Sequence, residues 1–347
     1  MNLVYYFSCA LTAAVALLAE KKNSKLSFWF SVILVSCISG LRASTVGIDT
    51  GAYYQYIEWA RMGVLEHVEI GFLYTTRFLL FLCDSAKFVI FVFSSAISFC
   101  VLFRFWTLRK QVSYGWSVFL YLALYFQFSM NIMRQFLAIA IVFLGTYFLQ
   151  NKRYSIFIVT VIIGSSFHYS AFIGLAILLI FGWTHMKNGK LRYAIAISFM
   201  AMLPIAYYIV FEVWQRYSGY FDNPNPNIGM MIFAKIALLF LFVIFNLNCF
   251  SKKNASKSFY ANIFAIYAVG LICTFAGYIY DYMDRVGLYF MMFEPICLAI
   301  MCKKRYSILF KIAVLLLSVY VIYSNYRSNG HGIFPYDVIF RDILQSY

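Results

Sequence analysis

Charge is what this 347-residue chain has least of. Only 12% of its residues are Asp, Glu, Lys or Arg, against roughly 25% in an ordinary soluble domain, while 63% are hydrophobic. Mean hydropathy is +0.79. A soluble globule of this size has too few polar groups to cover so much apolar surface. A soluble enzyme, a nucleic-acid binder and a disordered chain are therefore excluded, and a polytopic membrane protein is left. Paired cysteines are lacking too. The eight cysteines are scattered singly, with no CxxC and no zinc-type Cys/His grouping, so they read as small buried hydrophobes. The first apolar run, 3–19, has neither a basic start nor a cleavage-like end and reads as a retained helix. There is no internal repeat, low-complexity stretch or DxD motif.

What is present is a series of apolar runs. A helix crosses the hydrocarbon with about 20 such residues. Spans are expected near 3–19, 26–41, 87–105, 114–130, 135–150, 154–167, 169–184, 193–213, 230–249, 259–279, 286–301 and 307–325. The fold class is all-α, about twelve transmembrane helices forming one membrane domain over 1–347. Segment 70–83 is too short to cross, carries Arg77, and is expected to dip into the membrane or lie on its surface.

The net charge of +15 has an orientation. Six clusters (Lys21/Lys22/Lys25, Arg104/Arg109/Lys110, Lys152/Arg153, Lys187/Lys190/Arg192, Lys252/Lys253/Lys257 and Lys303/Lys304/Arg305) fall on one side, which is cytoplasmic by the positive-inside rule. The outward segments are 42–86, the turns at 131–134 and His168, 214–229, 280–285 and the tail 326–347. Their cations are nearly all arginine: Arg42, Arg61, Arg77, Arg134, Arg216, Arg285, Arg327 and Arg341, with Lys87 and Lys235 the lysines placed there. Topogenic charge needs only a cation. Arginine kept on the outer face works against topogenesis, and its planar fork suits bidentate capture of phosphate. An external functional surface with an anionic ligand is expected.

Five motifs lie on that surface. Arg42-Ala-Ser-Thr-Val-Gly47-Ile-Asp49-Thr50 leads into Tyr53 and Tyr56. Asp49 either caps a helix beside interfacial tyrosines, or is a carboxylate held beside rings that stack on a sugar. Glu69-Ile-Gly71-Phe72 opens the dipping segment, where Glu69 is a second capping candidate. Arg134-Gln135-Phe-Leu-Ala138 opens a span, and a cation at a helix N-terminus needs a compensating partner: it snorkels or it meets an anion. In Phe167-His168-Tyr169-Ser170-Ala171, His168 is a satisfied interior residue, a proton acceptor or a phosphate donor. Tyr282, Asp284, Arg285 and Tyr289 form the fifth motif. Its tyrosines line a glycan groove or the interface, and Arg285 is a second phosphate candidate.

In this order the motifs resemble the EpsG/Wzy group of bacterial polysaccharide polymerases, which act on O-antigen, capsule or exopolysaccharide. The resemblance runs over 42–289. It implies a GT-C-like glycosyltransferase at the outer face of the inner membrane. Such an enzyme moves a growing glycan from undecaprenyl pyrophosphate to the non-reducing end of a new lipid-linked repeat unit. It implies donor and acceptor lipids as partners, together with a Wzz-like chain-length regulator. The expected roles are Arg134 and Arg285 at the pyrophosphate with Arg42 in support, and Asp49 or His168 as base. Tyr53, Tyr56, Glu69 and Tyr282 are the sugar contacts. No metal or other cofactor is expected. A lipid-linked oligosaccharide flippase and a membrane O-acyltransferase are the rival classes.

Overall fold

The computed structural model describes residues 2–65, 68–185, 232–237, 240, 255–278, 281–303 and 308–338. The expected spans 193–213 and most of 230–249, the loop 214–229 and the end of the tail lie outside the described residues. The described chain is helical, with one isolated bridge, Arg42 to Val338, and no strand among the described residues. It forms two compact units. The first comprises 1–172 with 298–347, and the second 173–297.

In the first unit α1 (Asn2–Lys22) and α2 (Lys25–Gly40) form an antiparallel pair. Then come α3 (Thr50–Arg61), α4 (Ile70–Leu82), α5 (Ala86–Thr107), α6 (Tyr114–Leu124), α7 (Phe126–Asn131), α8 (Met133–Gln150) and α9 (Tyr154–Phe167). A 3-10 turn at Tyr169–Ile173 leads into α10 (Gly174–His185). Further along the chain come α11 (Ala255–Gly277), α12 (Asp281–Met291), α13 (Glu294–Lys303) and α14 (Ile308–Ser328). Serines start several helices: Ser24, Ser85 and Ser113 each accept a backbone N–H from three residues on, at 3.2, 3.4 and 3.4 Å.

Five described stretches are long and apolar enough to cross a bilayer: Leu3–Lys22, Ala86–Thr107, Met133–Gln150, Phe259–Gly277 and Met283–Cys302. The shorter apolar helices include α2, α6 and α9. Segment 70–83 is a 13-residue helix, α4, packed on α3, α5 and α9. The expected span 114–130 is broken at Tyr125 (φ −128°, ψ −13°) into α6 and α7. At the end of α7, five residues on, the Met130 carbonyl accepts a hydrogen bond from Arg42.

The lysine-rich end of the first unit is tied together by polar contacts. Arg109 Nε donates to Asn23 at 2.9 Å, and Glu20 accepts from Ser113 Oγ (2.7 Å) and Gly115 N (3.1 Å). Arg104, buried in α5, donates from Nε to Thr146 on α8 at 2.8 Å. The four motifs of this unit collect at its opposite end. Within the second unit Lys235, expected as an outward lysine, pairs with fully buried Glu294 at 2.9 Å; Glu294 also accepts from Tyr267 Oη at 2.9 Å. A carboxylate in an apolar body needs such partners.

Helices α8 and α9 approach closely because Gly145 has no side chain: a Cβ there would meet Thr160 Oγ1 at 2.1 Å and Thr160 Cβ at 2.9 Å. We expect Gly145→Val to destabilise the protein by about 1–3 kcal/mol through overpacking. Thermal unfolding in detergent micelles checks this, and an unchanged midpoint would mean that the two helices are not packed as described.

Candidate functional site

The loop 41–49 is folded by its own side chains and by the C-terminal segment. Gly47 sits at φ +97°, a region that favours glycine. Its N–H donates to Gly332 O at 2.8 Å and the next, of Ile48, to His331 O at 3.1 Å. Ala43 N donates to Asp337 O at 3.0 Å. The segment 329–338 is therefore a backbone belt over the loop. Asn329 closes it by bonding both ways with Phe334, donating to its carbonyl at 2.6 Å and accepting its N–H at 3.0 Å. Phe334 and Tyr336 anchor it among Tyr5, Tyr6 and Tyr326.

Arg42 is 1% exposed. Its Nη2 donates to Met130 O at 2.8 Å, and Nη1 to Ser39 O and to Ser94 Oγ. Nε reaches Thr50 Oγ1 at 3.4 Å. Burial brings its pKa down to about 10, so the guanidinium stays charged at neutral pH. Expected beside a ligand phosphate, Arg42 instead has its donors turned to the chain's own oxygens, tying α2, α3, α5 and α7 together.

Asp49 stands at the N-cap of α3 but makes no side-chain capping hydrogen bond. Its N–H donates to Asn131 Oδ1 at 3.0 Å, while Thr50 Oγ1 turns back to Val46 O at 2.6 Å. Tyr53, one turn on, is buried, and its Oη accepts the Arg134 N–H at 3.3 Å. Burial pushes the Tyr53 pKa up to about 12; Arg134 pulls it down and Asp49 pushes it up. The phenol thus stays protonated between a cation and a carboxylate. Tyr56 stands edge-on to Tyr53 at 6.2 Å and is tilted against Trp59 at 5.8 Å. Trp59, 44% exposed, extends the ring row along α3. Its spacing of three from Tyr56 was the available signal for it.

Arg134 opens α8. Its Nη1 pairs with Glu69 Oε2 at 2.7 Å, and its Cζ lies 5.3 Å from the ring of Tyr56 and 5.4 Å from that of Phe72. Its Nε is buried and finds no acceptor among the described residues. Glu69, like Asp49, is at a helix N-cap without capping it, because its carboxylate is taken by Arg134. Gly71 explains the motif's spacing. A Cβ there would lie 2.3 Å from Ser166 Oγ and 2.7 Å from Ser166 O, so glycine lets α4 seat its N-terminus on the end of α9. Phe72, 1% exposed, stacks on Phe93 at 5.5 Å, and Phe93 meets Phe167 edge-on at 6.4 Å.

His168 ends α9 in extended conformation and is half-buried. Its Nδ1 accepts the Ser170 N–H at 3.3 Å and lies 2.6 Å from Ser170 Oγ. Arg285 is exposed on α12 in the second unit; the side chain of Tyr282 lies outside the described residues. The structure thus brings together Asp49, Tyr53, Tyr56, Glu69 and Arg134, with His168 two residues after Ser166, the residue that Gly71 meets. Sequence reasoning missed Asn131, Trp59 and the belt residues 329–338. Among the described residues no group of His, Cys, Asp and Glu is arranged to hold a metal ion.

Arg42→Lys removes the fork and strands at least one buried carbonyl. We expect a loss of about 2–4 kcal/mol in stability, read from thermal unfolding in micelles. A variant as stable as wild type would show that Arg42 does not hold the loop.

No characterised protein and no solved structure matches the chain. One family model does: the EpsG family, over residues 25–338. That range takes in the first loop, the Glu69 and Arg134 motifs, His168 and the belt. The chain belongs to the EpsG family.

Proposed function

We propose that this protein is a polysaccharide polymerase, a GT-C-like glycosyltransferase of about twelve spans at the outer face of the bacterial inner membrane. It transfers a growing glycan from undecaprenyl pyrophosphate to the non-reducing end of a new undecaprenyl-pyrophosphate-linked repeat unit. The observation that carries this reading is Arg134. Its guanidinium lies over the rings of Tyr56 and Phe72 and is pinned by Glu69 on one edge, while its buried Nε has no acceptor among the described residues. A buried unpaired donor is costly, and an anionic oxygen supplies what it lacks. Family membership and the apolar helices support the same reading.

The chemistry follows from these groups. The acceptor hydroxyl oxygen attacks the anomeric carbon of the donor. The bond from that carbon to the diphosphate oxygen breaks, and its electron pair leaves with the diphosphate. The hydroxyl proton passes to the carboxylate of Asp49, whose backbone N–H donates to Asn131 Oδ1 at the start of α3. Arg134 meets the charge that develops on the diphosphate, in a wall of low dielectric where such contacts are strongest. Tyr53 stays protonated, so it positions and does not act as a base. Tyr56 and Trp59 offer faces for sugar rings.

Lipid-linked glycans from strains carrying variants at wild-type protein level test the reading. Arg134→Ala is expected to lower polymerisation about 10²–10³-fold, the scale for one lost charge-stabilising donor. Asp49→Asn is expected to lower it about 10²–10⁴-fold, the scale for a lost general base. Each leaves single repeat units on the outer face. Units stranded on the inner face would indicate a flippase, and full-length polymer lacking acyl groups an acyltransferase. Wild-type chain lengths in either variant would remove that residue from the site.

A further inference from the structure

We propose that the imidazole of His331, together with the ring of Phe128, forms a sugar-binding subsite beside Asp49 that takes a hydroxyl-bearing ring of the acceptor repeat unit. The inference rests on the polymerase reading above and names a binding residue that this reading does not use.

His331 lies on the belt, in the first unit. Backbone groups hold the belt there. Ile48 N–H donates to His331 O at 3.1 Å, Gly47 N–H to Gly332 O at 2.8 Å, and Gly332 N–H to Asn329 O at 2.8 Å. Any residue supplies the carbonyl at 331, so these contacts do not call for an imidazole. Gly332 (φ +62°) allows the close approach, since a Cβ there would come within 3.2 Å of Ile48 N. The His331 side chain turns instead to α7. Its ring meets that of Phe128 edge-on with 4.3 Å between centroids, and both residues are half-buried. Neither ring nitrogen of His331 is hydrogen-bonded among the described residues.

Phe128 and Asn131 are one turn apart on α7. Asn131 Oδ1 accepts the Asp49 N–H at 3.0 Å, so the imidazole and the start of α3 are docked on the same short helix. Ile48, 64% exposed, joins them: it bonds to His331 and precedes Asp49 in the chain. The hydroxyl that gives its proton to Asp49 belongs to the acceptor, so a sugar contact one residue from Asp49 falls on the acceptor. Burial lowers the His331 pKa, which leaves the ring neutral at neutral pH. A neutral imidazole carries one N–H donor and one lone pair. That combination matches sugar hydroxyls, which both donate and accept, whereas a diphosphate calls for a cation such as Arg134. Phe128 adds apolar surface for the C–H side of a sugar ring.

Two probes separate sugar from phosphate: the lipid-free repeat-unit oligosaccharide, released from its carrier by mild acid, and inorganic pyrophosphate. Each is titrated into full-length protein in nanodiscs. We expect His331→Leu to weaken oligosaccharide binding about tenfold, the scale for one lost hydrogen bond, and to leave pyrophosphate binding within about twofold of wild type. His331→Gln keeps a donor and an acceptor, and its oligosaccharide affinity is expected within about threefold of wild type. In polymerisation, His331→Leu is expected to raise KM for the lipid-linked unit about tenfold with kcat within about twofold, because a contact made equally in ground and transition states leaves the chemical step unchanged. A fall in kcat at constant KM means that His331 acts only by holding Asp49, and overturns the proposal. Loss of both probes means that the belt has shifted, and overturns it too. Wild-type protein that leaves lipid-linked units unjoined sinks the polymerase reading. Active wild type that binds the oligosaccharide no better than His331→Leu does sinks only the subsite.

Discussion

The ion pair between Arg134 and Glu69 is the contact on which the rest of the motif-bearing end is arranged. Burying a guanidinium and a carboxylate at the edge of an apolar body is unfavourable unless each finds partners. Glu69 reaches its partner only because Gly71 lets α4 come down on Ser166. Arg134 tolerates its position at the positive end of α8 because Glu69 and two ring faces surround it. Tyr53 then takes the Arg134 amide, which fixes α3, and α3 carries Asp49 at its start. The carboxylate and the guanidinium are coupled through one phenol. Displacing α4 by a side chain's width disturbs both.

A second constraint holds the loop that bears Asp49. Eight residues, 41–48, with no helix of their own, turn beside the bundle and need partners for their backbone groups. The belt 329–338 supplies carbonyls to Ala43, Gly47 and Ile48, and Arg42 supplies donors from inside. The chain's last described segment thus bonds to a loop near its beginning. This division of labour leaves the Asp49 carboxylate unused as a helix cap.

Much of this was legible in the sequence where a side chain carried the signal. Apolar runs located the helices of the first unit to within a few residues, and lysine clusters identified the end where Glu20, Asn23, Arg109 and Ser113 meet. The order Glu69, Gly71, Phe72 followed by Arg134 pointed to one site, although it did not say that the glutamate and the arginine pair. The belt was not legible. It acts through backbone amides and carbonyls, and GHG at 330–332 reads only as a loop. The break at Tyr125 was hidden as well: an apolar run looks the same whether or not its helix is interrupted. The pairing of Lys235 with buried Glu294 was not legible either, because hydropathy carries no information about pairing.

The arginines that the charge pattern expects on the outer face show why residue type alone is a weak guide to a ligand. Three that the pattern treats alike have three different fates. Arg42 spends its donors on Ser39, Thr50, Ser94 and Met130, and is structural. Arg61 pairs with Glu58 and, at 2.8 Å, with Asp84, joining the end of α3 to the turn after α4 at a half-exposed position where such pairs contribute little. Arg134 is buried enough to need acceptors, yet its Nε has none among the described residues. What separates them is the balance of donors against acceptors within reach. A guanidinium whose acceptors are all internal has no capacity for phosphate, and one in open water has little reason to hold it. Only a guanidinium fixed in place and left one acceptor short is prepared for an anion before the anion arrives.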